Sequence, residues 1–266
     1  MSKLMSIVVL NWNRLHYTKE TIERIIEATS IPHELIFVDN NSYEESGVRQ
    51  YLKSLEGKTN AEKITYVFND KNLGVAGGRN SGLVHATGDY LVTIDDDVWI
   101  PDQWDVLMAA ACDKIPGLGI TGVNVEPIKF PTKTINGAQV RPKAGNLGGA
   151  CLCLPRRVFK RVGYYNYFST YGMEDCAMYY RLTKMGLLSA YIVPKGKHLD
   201  VDEDKGYREA KNTAQTKGSI QMKELSKYLQ YMRKTGDTFV SFDPNYDPVD
   251  INIFTNDLIK KDRGEK

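Results

Sequence analysis

The sequence predicts an α/β domain: a mostly parallel central sheet flanked by helices, with a helical extension toward the C-terminal end. Three observations carry that expectation. Short apolar runs alternate with helical patterns through residues 1–123, and repeated β-α-β units imply parallel strands covered on both faces. Polar clusters at Asn11, Asp39 and Asp95 to Asp97 each follow an apolar run, and ligands of such sheets sit at the carboxyl ends of the strands. The 266 residues suffice for one large domain with an appendage.

The elements follow in order. Ser6 to Leu10 reads as a buried strand. Thr18 to Thr29 carries Ile22, Ile25 and Ile26 at helical spacing before Pro32 breaks the pattern. Glu34 to Val38 is a second strand ending in the turn cluster Asp39-Asn40-Asn41-Ser42, and Val48 to Leu55 is a second helix. Ile64 to Phe68 is a third strand. A glycine-rich stretch over 72–82 then runs into a short helix toward Ala86. Tyr90 to Ile94 is a fourth strand, Asp102 to Asp113 a helix with Trp104, Leu107, Met108 and Ala111 on one face, and Leu118 to Val123 a further strand.

The second half is less regular. Residues 124–146 hold several prolines and glycines and read as a long loop or irregular hairpin. Gly148-Gly149 precedes an apolar strand. Pro155 to Val162 is a short helix with Pro at its start and Gly163 beyond its end. Glu174 to Met185 is another helix, and Leu188 to Val193 another strand. Residues 206–234 read as a polar helix or helix pair, and the tail from Thr235 as an arm. The expected division is a main domain over 1–200, with halves 1–123 and 124–200, and an extension over 201–266.

Composition excludes some classes. Lys plus Arg number 35 against 33 Asp plus Glu, so bulk charge does not suit a protein that coats nucleic acid or an anionic membrane. The apolar run Ile7 to Leu10 is far shorter than the roughly 20 residues of a membrane span, and no secretory signal pattern is expected. Cys112, Cys151, Cys153 and Cys176 form no CxxC pair. Reduced thiols and a cytoplasmic location are the simpler expectation.

Three motifs carry chemistry. Asp95-Asp96-Asp97 follows a strand directly, and adjacent carboxylates repel unless a cation neutralises them. Hard oxygen ligands favour Mg²⁺ or Mn²⁺; the plainer alternative is a solvated acidic turn. Asn72 to Gly82 contains Gly74, Gly77, Gly78 and Gly82 around Arg79. Such a segment either lets backbone approach a phosphate or packs a helix tightly on the sheet, and Arg79 can pair with a phosphate or a carboxylate. Glu174 and Asp175 open a helix, where acidic residues are favoured in any case, or supply a general base. His198, after the strand ending near Pro194, is a loop residue or a metal ligand.

In this order and spacing, the segments resemble the family 2 glycosyltransferases of the GT-A fold, which is Rossmann-like. The resemblance covers residues 4 to 200. It rests on Ser6 to Arg14, Val38 to Ser42, Asn72 to Gly82, Gly88 to Asp97, Gly148-Gly149, the Arg157 to Gly163 helix, and Tyr171 to Asp175 with Arg181 and Gly186 downstream. It implies a metal-dependent, inverting transfer of sugar from a nucleotide-diphosphate sugar, with a UDP-sugar expected, to an acceptor hydroxyl. Asp39 would hold the base, with Asn11 in the same pocket and Asn72 and Arg79 near the nucleotide. Asp95 and Asp97 match the DxD motif, Asp97 as direct Mn²⁺ or Mg²⁺ ligand and Asp95 also near the ribose. His198 looks like the histidine some members add as a further ligand. Asp175 matches the catalytic base, with Glu174 helping to place the acceptor.

The opening loop Leu10-Asn11-Trp12-Asn13 departs from the common Pro-Thr-Tyr-Asn, and the Gln-x-x-Arg-Trp motif of processive synthases is absent. Two other classes compete: a metal-dependent nucleotidyltransferase or pyrophosphorylase, and a non-catalytic sugar-nucleotide module. The first usually carries a Gly-rich basic loop after its first strand, where this chain has Asn11-Trp12-Asn13-Arg14. The intact acidic sets argue against the second. The acceptor is expected to be a glycan, a lipid-linked sugar or another hydroxyl compound, with peripheral membrane contact compatible. A nucleic acid acceptor is disfavoured, because Lys205, Arg208, Lys211, Lys217, Lys223, Lys227, Arg233 and Lys234 are interspersed with acids.

Overall fold

The computed structural model describes residues 3–168, 171–200 and 218–242. Of the helix or helix pair expected over 206–234, residues 206–217 lie outside the described residues, as do Lys205 and the part of the expected tail over 243–266.

The chain opens with β1 (Met5–Asn11), α1 (Leu15–Ala28), β2 (His33–Asp39), α2 (Val48–Lys53) and β3 (Lys63–Phe68). It continues through α3 (Gly74–Leu83), β4 (Tyr90–Asp95), the two-residue β5 (Val98–Trp99), α4 (Trp104–Lys114) and β6 (Leu118–Asn124). A hairpin of β7 (Lys133–Ile135) and β8 (Ala138–Pro142) leads to β9 (Cys151–Pro155) and α5 (Arg156–Val162). Then come α6 (Glu174–Lys184), β10 (Leu188–Lys195), β11 (Lys197–His198) and α7 (Gly218–Thr235).

Nine strands form one sheet in the order β3-β2-β1-β4-β9-β6-β10-β8-β7. Only β8 and β9 run against the rest, so the sheet is mostly parallel. The alternation of side chains divides the core. Met5, Ile7 and Val9 of β1 join Leu35 and Phe37 of β2 beneath α1, α2 and α4. Val8, Leu10, Ile36 and Val38 face the other way, toward α3, α5 and α6. Both faces of β1 and β2 are buried, which is why these segments read as unbroken apolar runs rather than alternating ones. A third cluster joins Ala177 of α6 to Leu225, Tyr228 and Met232 of α7.

The chain passes from β1 to β2 and β3 on one side, then returns to β4 on the other. This reversal leaves a crevice at the strand ends. Register fixes its rim: Asn11 pairs with Asp39, and Leu10 with Asp95. The three polar clusters therefore do converge at one end of the sheet. A second, two-stranded sheet pairs His198 with Val98. It brings the end of β11 beside the acidic triplet.

Two segments were less legible. The glycine-rich stretch is not a loop before a helix: Gly74–Leu83 is the helix. It lies close on the sheet because its glycines leave no side chain between. A Cβ on Gly78 would stand 2.5 Å from Leu10 Cδ1, and one on Gly82 2.8 Å from Val38 Cγ2 and closer still to Val8. The proline-rich stretch resolves into the β7–β8 hairpin. Asn136 and Gly137 turn it with φ of 50° and 78°, the left-handed pair that a two-residue type I′ turn requires. Among the described residues, no helix is long and apolar enough to cross a membrane.

Helix propensity favours Ala over Gly by about 1 kcal/mol, whereas packing at Gly82 opposes it. Gly82→Ala is expected to lose about 1–3 kcal/mol, the usual overpacking penalty, in urea unfolding. Gly117→Ala, where a Cβ would meet nothing within 4 Å, is the control and should stay within about 0.5 kcal/mol of wild type. A stabilised Gly82→Ala protein would show that α3 has room to move off the sheet.

Candidate active site

A pocket of about 500 Å³ opens at the rim described above. Its walls come from both halves of the chain. Trp12 and Arg14 enter from the end of β1, and Asn72 to one side of α3. The triplet Asp95-Asp96-Asp97, the start of α6 with Glu174 and Asp175, and His198 complete it.

Arg79 organises this pocket. It is 1% exposed. Its Nη2 donates to Asp95 Oδ1 at 2.6 Å and to the Gly149 carbonyl at 2.9 Å, and its Nη1 donates to Glu174 Oε1 at 3.1 Å. The guanidinium thus joins the end of β4 to the start of α6. Of the two partners the sequence allowed Arg79, phosphate or carboxylate, it holds carboxylates. Gly149 is the neighbour that makes room: a Cβ there would sit 2.8 Å from Arg79 Nη2. Burial raises the Glu174 carboxyl to about 7, the Asp175 charge adding to it and Arg79 opposing it.

The triplet divides into three environments. Asp95 faces Arg79. Asp96 is buried, accepts from Arg14 Nη2 at 2.5 Å and from the Trp12 N–H at 3.3 Å, and is raised by burial to about 7 with Arg14 opposing. Asp97 lies 3.1 Å from Arg14 Nη1 through Oδ2 and 3.7 Å from His198 Nδ1 through Oδ1. Burial would raise it, but His198 and Arg14 outweigh burial and hold it below the ordinary carboxylate range. Asp175, beside Glu174, accepts from Asn146 Nδ2 and from the Cys176 N–H, both at 2.7 Å.

Most of the residues singled out from sequence meet here: Asn72, Arg79, Asp95, Asp97, Glu174, Asp175 and His198 all line the pocket. Asn11 and Asp39 do not. Asn11 is fully buried and donates to the carbonyls of Val9 and Val38. Asp39 is fully buried too, with Oδ2 taken by Arg49 at 2.8 and 2.9 Å and Oδ1 by the Ser42 N–H. Both sit at the rim in register, yet their side chains turn into the structure. Their neighbour Asn40 takes the wall position instead. It donates to Asn72 Oδ1 and accepts from Asn69 and Leu73, which fixes the approach to α3.

Sequence reasoning missed Arg14, Asn40, Asn146 and Asp200. Arg14 was visible only as part of the opening motif. Its partners Asp96 and Asp200 lie 82 and 186 residues away, and no local pattern announces them.

The donor chemistry suits a hard divalent cation only in part. Among the described residues, no three His, Cys, Asp or Glu side chains are arranged to hold a metal. The pocket does offer a carboxylate at Asp97 with an imidazole nitrogen next to it, and a second carboxylate at Asp95. Mg²⁺-like ions are commonly held by one or two carboxylates plus substrate phosphates, so these groups fit an open site that a diphosphate completes.

The crevice at the switch point of this sheet, with an acidic triplet on one lip and a carboxylate pair on the other, is built on the GT-A fold. Solved structures share that fold. GalNAc-T7 with UDP, GalNAc and Mn²⁺ superposes with a TM-score of 0.61 over 74% of this chain and 44% of that one, at 14% identity. The mannosyltransferase PcManGT of Pyrobaculum calidifontis, with GDP-Man and Mn²⁺, gives 0.57 over 79% and 60%, at 18% identity. In sequence, the putative colanic acid biosynthesis glycosyl transferase WcaA of Escherichia coli (strain K12) is 34% identical over 107 residues, 40% of this chain and 37% of that protein. The sequence model of glycosyl transferase family 2 matches residues 6–150, more than half of the chain, and the chain belongs to that family. The matched segments span 37–52% of the first four curated relatives.

Two outcomes are expected at the Arg79 cluster. Arg79→Met leaves Asp95 and Glu174 without their shared cation, and urea unfolding should show a loss of about 3–5 kcal/mol, the scale for a broken buried pair. Glu174 binds its proton more tightly folded, at about 7, than at the ordinary value of 4.5. Its contribution is therefore complete below about 4.5 and fades as pH rises through about 7. Between pH 5 and pH 8 the stability of Glu174→Gln relative to wild type should rise by on the order of 1–3 kcal/mol. A flat difference across that range would mean that Glu174 is ionised throughout.

Proposed function

We propose that the protein transfers a sugar from a nucleoside-diphosphate donor to an acceptor hydroxyl, with inversion at the anomeric carbon. The observation that carries this is the single pocket shared by Asp95-Asp96-Asp97 and Glu174-Asp175. One acidic group can serve the leaving diphosphate while the other serves the attacking hydroxyl.

Asp175 is the general base. Glu174 is held by Arg79, whereas among the described residues Asp175 accepts from the neutral donors Asn146 Nδ2 and the Cys176 N–H. Its carboxylate is oriented and remains able to accept a proton. The acceptor oxygen gives that proton to Asp175 and forms its bond to the anomeric carbon. The bond from that carbon to the diphosphate oxygen breaks on the opposite face, and the nucleoside diphosphate departs. Asp97 and His198, with Asp95, are the residues that would hold Mn²⁺ or Mg²⁺. Such an ion, when bound, supplies charge stabilisation to the leaving diphosphate. The rest of the pocket contributes position.

UDP- and GDP-sugars are both sensible donors to screen, since the similar structures hold UDP in one case and GDP-Man in the other. A UDP-sugar is the expected donor, and a glycan or lipid-linked hydroxyl the expected acceptor.

The test is release of nucleoside diphosphate from UDP- and GDP-sugars, with Mn²⁺ or with EDTA. Release should require the metal and vanish in Asp97→Ala. Asp175→Asn should keep donor binding, measured calorimetrically, and lose turnover by about 10²-fold or more. Undiminished turnover in Asp175→Asn would remove it as the base. Metal-independent release would remove the cation from the mechanism.

A further inference from the structure

Arg14 is a buried cation of the pocket to which the proposed mechanism gives no role. It is 5% exposed, follows β1 directly, and its guanidinium lies 5.4 Å from the centre of the Tyr17 ring. Nη2 donates to Asp96 at 2.5 Å, and Nη1 lies 3.1 Å from Asp97 Oδ2 and 3.2 Å from Asp200 Oδ2. One fixed cation therefore gathers carboxylates from two distant parts of the chain. Asp97 is the shared point: one oxygen faces Arg14 and the other faces His198.

This arrangement has two opposed effects on a divalent cation at Asp97 and His198. Arg14 prearranges the carboxylates, because Asp96 and Asp97 would otherwise repel each other. It also sets a permanent positive charge directly behind the ligand oxygen, and like charges at such separations in a buried site interact strongly. Arg14 cannot relieve this by losing its proton, since a guanidinium stays charged in proteins. A diphosphate arriving with the metal brings negative charge on the open side and offsets the repulsion.

We propose that Arg14 is a built-in counter-cation, a positioning residue that keeps the metal site weak when empty of donor and so couples metal loading to the nucleoside diphosphate. This rests on the metal reading given above. Among the described residues Arg14 contacts Asp96, Asp97 and Asp200, and it acts through the affinity of Asp97. A residue that merely held the fold would alter stability without changing how metal and nucleotide affect each other. A counter-cation changes that coupling, which is a reciprocal quantity.

The experiment measures free Mn²⁺ by electron paramagnetic resonance during titration of the full chain, with and without UDP. Wild type should bind Mn²⁺ weakly alone and at least about tenfold more tightly with UDP, within the usual range of coupling. Arg14→Met, which keeps the length and removes the charge, should bind Mn²⁺ alone about tenfold more tightly, with the gain from UDP reduced to match. Arg14→Lys keeps the charge and should stay near wild type. If Arg14→Met does not fold, Arg14→Gln, which retains a donor toward Asp96, carries the same expectation. Unchanged or weaker Mn²⁺ binding in the neutral variant would overturn the proposal, as would the absence of Mn²⁺ binding in every protein up to millimolar metal. Nucleoside diphosphate release from sugar donors is scored separately. A neutral variant that tightens Mn²⁺ binding in a protein releasing no diphosphate would sink the transferase reading and leave the counter-cation standing. Normal release with no Arg14 effect would do the reverse.

Discussion

The guanidinium of Arg79 lies between two carboxylates supplied 16 and 95 residues further along the chain. It ties the two acidic lips of the site to each other. α3 carries Arg79, and that helix can come so near the sheet only because Gly78 and Gly82 present no side chain to Leu10, Val8 and Val38. The carbonyl of Gly149 receives the same guanidinium, and only a glycine leaves it room there. A buried ion pair of this kind is weak evidence for stability, since desolvation can exceed the Coulomb gain. Its value here is geometric. It fixes the end of β4, which bears the acidic triplet, against the start of α6, which bears Asp175.

How much of this was written in the sequence depends on the range of the forces involved. The strands were legible because burial on both faces demands apolar runs, and β1 and β2 are buried along their whole length. The acidic triplet was legible because it follows a strand end, where such sheets hold ligands. Arg79 stood out, but its partner did not, since a guanidinium suits phosphate and carboxylate alike. Only the packing of α3 decides between them. Arg14 was hidden for a stronger reason: its contacts join the loop after β1 to the turn after β4 and the segment after β11 at once, and no spacing in one dimension encodes that meeting.

Asn11 and Asp39 show the opposite case, a pattern that located the element correctly and the side chain less well. Their backbones pair at the end of β1 and β2. A strand turns successive side chains to opposite faces, so a position at the rim does not guarantee a side chain in the pocket. Leu10 and Asn40, one residue away from each, take the wall. Asp39 then finds a partner in Arg49, which also lies over the Phe68 ring.

Two adjacent carboxylates at the start of α6 must be told apart by their surroundings, because the helix offers both the same favourable end. Glu174 is 6% exposed and bonded to a cation that Asp95 also claims. Asp175 is bonded to an amide side chain and a backbone N–H, donors that orient a carboxylate and persist on one oxygen when the other takes a proton. Pairs of titratable groups whose environments differ in this way divide their roles. The same logic separates Asp96 from Asp97: the first is enclosed by Arg14 and the Trp12 N–H, while the second keeps one oxygen turned toward His198. Arg79 thus pairs with Glu174 and Asp95, whereas Arg14 reaches both Asp96 and Asp97 and leaves the other Asp97 oxygen facing His198.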